Sequence, residues 1–240
     1  MMDAIAVAWK EWSEQIGQRG FRGYQGILLM ILVFGIVLPL QNGPAWITSP
    51  IIGIAWSWVP MFLVTTVIAD AIAGERERHT LETLLASCLS DRAILFGKMG
   101  AAIGYAGAVT AISLFVGLVA VNLVHRQGGL LLYGAPVVLV MCVGGVLGAV
   151  FVAAVGVLIS LRAATVRQAQ QTLGGAIMAL LLAPLAAVRL LPTEWLSSLR
   201  PDSATYVQLG VIAAAAFALL DAGVVALATV RFRRARLIAD

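Results

Sequence analysis

Charge is what this sequence has least of. Asp, Glu, Lys and Arg make up 12% of its 240 residues, about half the ~25% usual in a soluble domain. With 61% of residues hydrophobic and a mean hydropathy of +0.97, there is too little polar surface to cover a soluble globule. The class that remains is an all-α, polytopic membrane protein. Cysteine is nearly absent as well: Cys88 and Cys142 imply no disulfide framework. Histidine is limited to His79 and His125, with no His-x-x-x-His or Glu-x-x-His pair, so no metal site is expected. No Gly-x-Ser-x-Gly and no paired aspartate-rich motifs occur, which leaves a membrane hydrolase without chemistry. A basic soluble face with aromatic platforms is also missing, so nucleic acid is not an expected partner.

The charge-free windows locate the membrane spans. Residues 23–69 hold no charged side chain, and as a single helix they would reach roughly 70 Å, far beyond a bilayer core of about 30 Å. Pro39, Gln41-Asn42-Gly43-Pro44 and Pro50 divide that run in two. Further windows at 99–125, 127–161, 168–188 and 203–230, the last interrupted by Asp221, bring the expected count to six. The expected spans are about 24–40, 51–72, 99–123, 135–160, 170–190 and 206–230, in one transmembrane domain covering 1–240. Placing both termini in the cytoplasm puts thirteen Lys and Arg inside and only Arg126, Arg189 and Arg200 outside. The net charge of +4 then reads as a topology signal touching anionic lipid headgroups.

Residues 1–20 do not read as a signal peptide, because Asp3 comes early and charges recur throughout. Ile5, Trp9, Trp12 and Ile16 share one helical face, opposite Lys10, Glu11, Glu14 and Gln18. This predicts an interfacial helix with its tryptophans at headgroup depth; a frayed amphipathic start is the plainer alternative. Near the other end, Trp195, Leu196 and Leu199 between Pro192 and Pro201 suggest a short helix at the outer surface. Gly100, Gly104 and Ala108, and then Gly144 and Gly148, are spaced for close helix packing.

One charged island interrupts the apolar sequence. Residues 70–98 carry four basic and five acidic side chains between the second and third spans. Leu81, Leu84, Leu85 and Cys88 form an apolar stripe at helical spacing, while Glu75 with His79 and Arg78 with Glu82 are set for i, i+4 pairing. A cytoplasmic amphipathic helix within 74–92 is expected, with Ser90 or Asp91 capping the helix that follows. A solvated helical connector is the bland reading of the same pattern.

The island, AGERERHTLETLLASCLSDRAILFGK, resembles the segment between the second and third spans of type-2 ABC exporter permeases. That family's usual form is close to G-E-[RK]-E-[RK]-G-T-[LI]-E-x-L-L, then Pro, then Gly-Lys. Gly74, Glu75, Glu77, Thr80, Leu81, Glu82, Leu84, Leu85, Gly97 and Lys98 match it. His79 stands where Gly is usual, which should make the helix more continuous, and Cys88 stands where Pro is usual. The resemblance implies a coupling helix seated in a groove of a separate ATPase, with Glu75, Arg76, Glu77, Arg78, Thr80, Leu81, Glu82, Leu84 and Leu85 as contact residues. It further implies an assembly of two permeases, as a homodimer or related heterodimer, with two ATPase subunits, in the cell (inner) membrane. ATP and magnesium would bind the ATPase and this chain would hold no cofactor. The chain's own Gly97-Lys98 supports that division of labour. It has Arg92 where a phosphate loop needs Gly and Met99 where it needs Ser or Thr.

Asp221 is the acid placed inside a span, and such groups are costly and often functional. It reads either as a contact for substrate, proton or cation, or as an acid paired with another helix or reaching a water pocket. Asn122, Thr65 and Thr66 are weaker candidates for a translocation path, because hydroxyls are often absorbed by backbone carbonyls. Few charges line the spans, which favours an apolar or amphipathic cargo; sodium export is the other option, with Asp221 at issue. A non-transporting sensor or immunity subunit that couples to an ATPase is the rival to an exporter.

Overall fold

The computed structural model describes residues 2–17, 21–80, 86, 88–125, 129–190 and 203–232. These are helical nearly throughout, with no strand among them. Helix α1 (Met2–Gly17) precedes α2 (Phe21–Leu32), which continues through a π-helical turn at Val33–Val37 into α3 (Leu38–Asn42). Gly43, at φ 57°, turns the chain into the single turn α4 (Ala45–Thr48). Ser49 is extended (φ −80°, ψ 123°) before Pro50, whose fixed φ starts the next helix. That helix comprises α5 (Pro50–Ser57), α6 (Val59–Ala69), a second π-helical turn (Asp70–Gly74) and the short α7 (Glu75–Glu77). The long helices α8 (Asp91–Val124), α9 (Ala135–Ser160), α10 (Val166–Leu190) and α11 (Ser203–Arg231) follow.

Among the described residues five helices are long and apolar enough to cross a bilayer: Gln25–Asn42, Pro50–Glu77, Asp91–Val124, Ala135–Ser160 and Val207–Arg231. The expected fifth span, at 170–190, falls in α10, the last part of which lies largely outside the described side chains, and α10 is not among the five. Arg167, Gln168, Gln170 and Gln171 make the start of α10 polar, whereas from Leu173 to Leu190 the one charged residue is Arg189. The second of the five runs past the expected limit of residue 72, because the π-helical turn carries the helix on to Glu77.

The core lies among α5–α6, α8 and α9, where Ile68, Ile72, Ile94, Leu95, Val152 and Val157 are fully buried. Helix α9 packs on α5 and α6 on one side and on α11 on another. The Gly144–Gly148 spacing has a direct packing role. A Cβ at Gly144 would meet the Cβ of Ser57 at 2.8 Å, and one at Gly148 the Cγ of Met61 at 2.7 Å. These helices can therefore approach only through glycine. In the corresponding stripe of α8, Gly100 has nothing within 4 Å and Gly104 faces the Trp12 ring at 3.6 Å.

Candidate functional site: the charged end of the second long helix

The charged island does not begin as one continuous helix from residue 75. The helix ends at Arg78, and His79 adopts a left-handed conformation (φ 56°). The His79 amide bonds the Arg76 carbonyl at 3.1 Å and the Thr80 amide reaches back to the Glu75 carbonyl at 2.9 Å. This pair of bonds is a Schellman helix end, whose left-handed residue is usually Gly. His79 thus takes the role of the glycine that it replaces in the type-2 permease pattern, instead of extending the helix. Thr80 also donates its hydroxyl to the Glu75 carboxylate. Downstream, Ala86 is helical and Cys88 is exposed. Of the two expected caps, Ser90 performs the task, its Oγ accepting from the Ala93 amide at 3.2 Å. Leu81, Glu82, Leu84 and Leu85 lie outside the described residues, as do the 195–199 segment and the end of the N-terminal stretch at 18–20.

Four successive charged residues end the second long helix, and each is engaged within the chain. Glu75 is buried, and its Oε1 accepts from Lys98 Nζ at 3.3 Å. The same ammonium donates to Glu11 Oε1 of α1 at 2.5 Å. Lys98 is only 2% exposed and Glu11 8%, so this is a buried cluster of two acids around one base. Arg76 extends the other way. Its Nη1 and Nη2 donate to the carbonyls of Ala163 and Leu161 at 2.8 and 2.9 Å, in the turn between α9 and α10. Glu77 Oε1 accepts from the Val166 amide at 2.9 Å, placing a carboxylate on unsatisfied donors at the start of α10. Arg78 pairs with Asp70 at 2.9 Å, half exposed at the surface. A Cβ at Gly74 would fall 2.3 Å from Asp70 Oδ1, so only glycine leaves room for that pair on the π-helical turn.

Helix α1 seats differently from its apolar periodicity. Val7, Glu11 and Trp12 turn towards α8, while Ile5 and Trp9 stay exposed at 66% and 69%. The Trp12 indole donates to the Ala101 carbonyl at 3.1 Å. A Cβ at Gly97 would stand 2.6 Å from that of Val7 and 2.9 Å from the Ala4 carbonyl. Gly97 therefore brings the two helices close enough for the neighbouring Lys98 to reach Glu11. Glu11, on the expected polar face, becomes a buried ion-pair partner.

The remaining candidates separate. Thr65 and Thr66 donate to the Met61 and Leu63 carbonyls of their own helix at 3.0 and 2.9 Å. Asn122 clamps the segment before α9: its Nδ2 donates to the Leu131 carbonyl at 2.9 Å, and its Oδ1 accepts from the Leu131 amide at 2.8 Å. Asp221 is 4% exposed, with both carboxylate oxygens unpartnered. These four do not converge with the Glu75 cluster. Among the described residues no group of three or more His, Cys, Asp or Glu gathers as a metal site would require. In the sequence Glu11 reads as part of a polar helix face and Lys98 as part of a Gly-Lys match, neither as half of an ion pair. The two partners lie 87 residues apart.

Residues 47–237, from α4 onward, match the sequence model of the family described as ABC-2 family transporter protein. The chain belongs to the ABC-2 transporter family. No curated protein matches the chain. Membership makes it an integral membrane protein of permease type and implies partnership with an ABC ATPase. The island, with its Schellman end and its four engaged charges, falls wholly inside the matched region of this ABC-2 protein.

Proposed function

We propose that the chain is the membrane subunit of an ATP-driven exporter, in which a separate ATPase pushes on the segment after His79 and the Glu75–Arg78 cluster spreads that push through the bundle. The carrying observation is the convergence of α1, α7, α8 and the start of α10 on those residues. Salt bridges and paired carbonyl bonds of this kind resist independent movement of the elements they join. A displacement entering at residues 80–90 would reach α8 through Lys98, α1 through Glu11 and α10 through Glu77. Docking would fall to residues beyond Thr80, because the four preceding charges are occupied within the subunit.

In this reading α10 crosses as a fifth of six spans, being 25 residues long, or about 37 Å at 1.5 Å per residue. Both termini face the cytoplasm of the inner membrane, and α1 lies along the interface with Ile5 and Trp9 turned to lipid. Two copies of this chain join two ATPase subunits, which hold ATP and magnesium. The apolar spans suit a lipid-like or amphipathic cargo moved from the cytoplasm or inner leaflet.

The deciding experiment is reconstitution with the ATPase that co-purifies. Cargo-stimulated ATP hydrolysis together with cargo flux in proteoliposomes is the expected result. Stimulated hydrolysis without flux of any cargo would overturn the exporter reading in favour of a sensor subunit.

A further inference from the structure

Helix α11 turns one narrow stripe inward. Asp221 and Ala228 are buried along it and Phe232 just past the helix end, with Val224 and Val225 half-buried and Leu219 and Leu220 exposed on the other face. One turn before Asp221, the Phe217 ring touches that of Phe151 on α9, with centroids 5.5 Å apart. Asp221 is thus the polar member of an apolar seam between α9 and α11. Neither oxygen of its carboxyl has a hydrogen-bond partner.

Among the described residues no charged group pairs with it. The sequence of α9 contains no Asp, Glu, Lys, Arg or His. In α11 the other charged residue is Arg231 at the cytoplasmic end, ten residues and about 15 Å along the axis. An ionised carboxylate without a partner is too costly to keep in such surroundings, whereas the neutral acid loses only hydrogen bonds to water.

We propose that Asp221 is a proton-binding site, held as the neutral acid in the α9–α11 seam and open there to a lipid-soluble carboxyl reagent. Ionisation then requires water or a cation to enter between the two helices. A carbodiimide reports this state by its chemistry. The carboxyl proton passes to one reagent nitrogen and the carboxyl oxygen bonds to the central carbon, giving an O-acylisourea. In a dry site this rearranges to a stable N-acylurea that retains the whole reagent. The inference stands independently of the ATPase-coupling reading.

The test treats membranes containing the full chain at neutral pH with either dicyclohexylcarbodiimide or a water-soluble carbodiimide, and maps modified peptides by mass spectrometry. The expected result is one added reagent molecule at Asp221 with the lipid-soluble reagent, none there with the water-soluble one, and loss of the label in Asp221→Asn. Absence of label at Asp221 in the native chain would overturn the proposal. Equal modification by the water-soluble reagent would overturn it too, by showing a hydrated carboxylate. Both readings come from the unsubstituted protein, so they hold even if Asp221→Asn fails to fold.

Discussion

Lys98 Nζ stands 2.5 Å from Glu11 Oε1, joining two helices whose contact residues lie 87 positions apart. The ammonium also reaches Glu75 at 3.3 Å, so one buried base serves two buried acids. Removing one member of a buried pair is far costlier than the pair's net worth, since the uncompensated charge stays behind.

Lys98→Met should therefore destabilise the detergent-solubilised protein by about 3–5 kcal/mol. Thermal unfolding of the variant measures this. Adding Glu11→Gln and Glu75→Gln to Lys98→Met should recover part of the loss, because the orphaned charges go with the base. A Lys98→Met protein as stable as the parent would show that the cluster is not buried.

His79 occupies a backbone region that costs a side-chain-bearing residue about 1–2 kcal/mol. His79→Gly should thus raise stability by about 1 kcal/mol, less the glycine's greater freedom in the unfolded chain. Resistance of the 75–90 segment to limited proteolysis should increase in parallel. His79→Val should do the reverse, since a β-branched residue tolerates positive φ least.

At Gly74 the prediction concerns a clash more than a lost ion pair. The Asp70–Arg78 pair is half exposed, and pairs of that kind contribute about 0–1 kcal/mol. Gly74→Ala puts a methyl group 2.3 Å from Asp70 Oδ1 and should lower the unfolding temperature measurably. In the Asp70→Ala background the same change should cost less, and a double-mutant cycle reads the difference.

Arg76 and Glu77 should matter for coupling more than for folding. Arg76→Ala frees the Leu161 and Ala163 carbonyls from the second long helix, and Glu77→Gln weakens the contact at the start of α10. With the ATPase bound, both variants should transport less cargo per ATP hydrolysed in proteoliposomes. Arg76→Lys should restore only part of the function, because one ammonium cannot reproduce two parallel guanidinium bonds. Reversing Glu75 and Glu77 to Lys should uncouple hydrolysis from transport or block assembly. Full coupled transport in that double variant would remove the cluster from the mechanism.

Several elements were legible before any tertiary contact was considered. Charge-free runs, the first of them divided by Pro50, mark the long helices, because a bilayer tolerates neither free backbone groups nor bare charge. The GERER stretch and Gly97-Lys98 carried the family resemblance. Ser90 was readable as a cap because capping is a local event. What misled was local too. His79 looked like a helix former, and the Schellman bonds that hold it left-handed depend on how Thr80 folds back over Glu75.

By itself, then, the sequence determined the class, the helical segments and the membership in the ABC-2 family, since hydropathy, periodicity and capping act within a few turns of chain. The tertiary structure alone decided what the island's charges touch. Glu75 meets Lys98 and Glu11, Arg76 meets Leu161 and Ala163, and Glu77 meets Val166, across up to 89 residues. No periodicity encodes such pairs. They form because glycine at position 97 admits a close helix approach and because a charge withdrawn from water must find its counterpart wherever the packing has brought it.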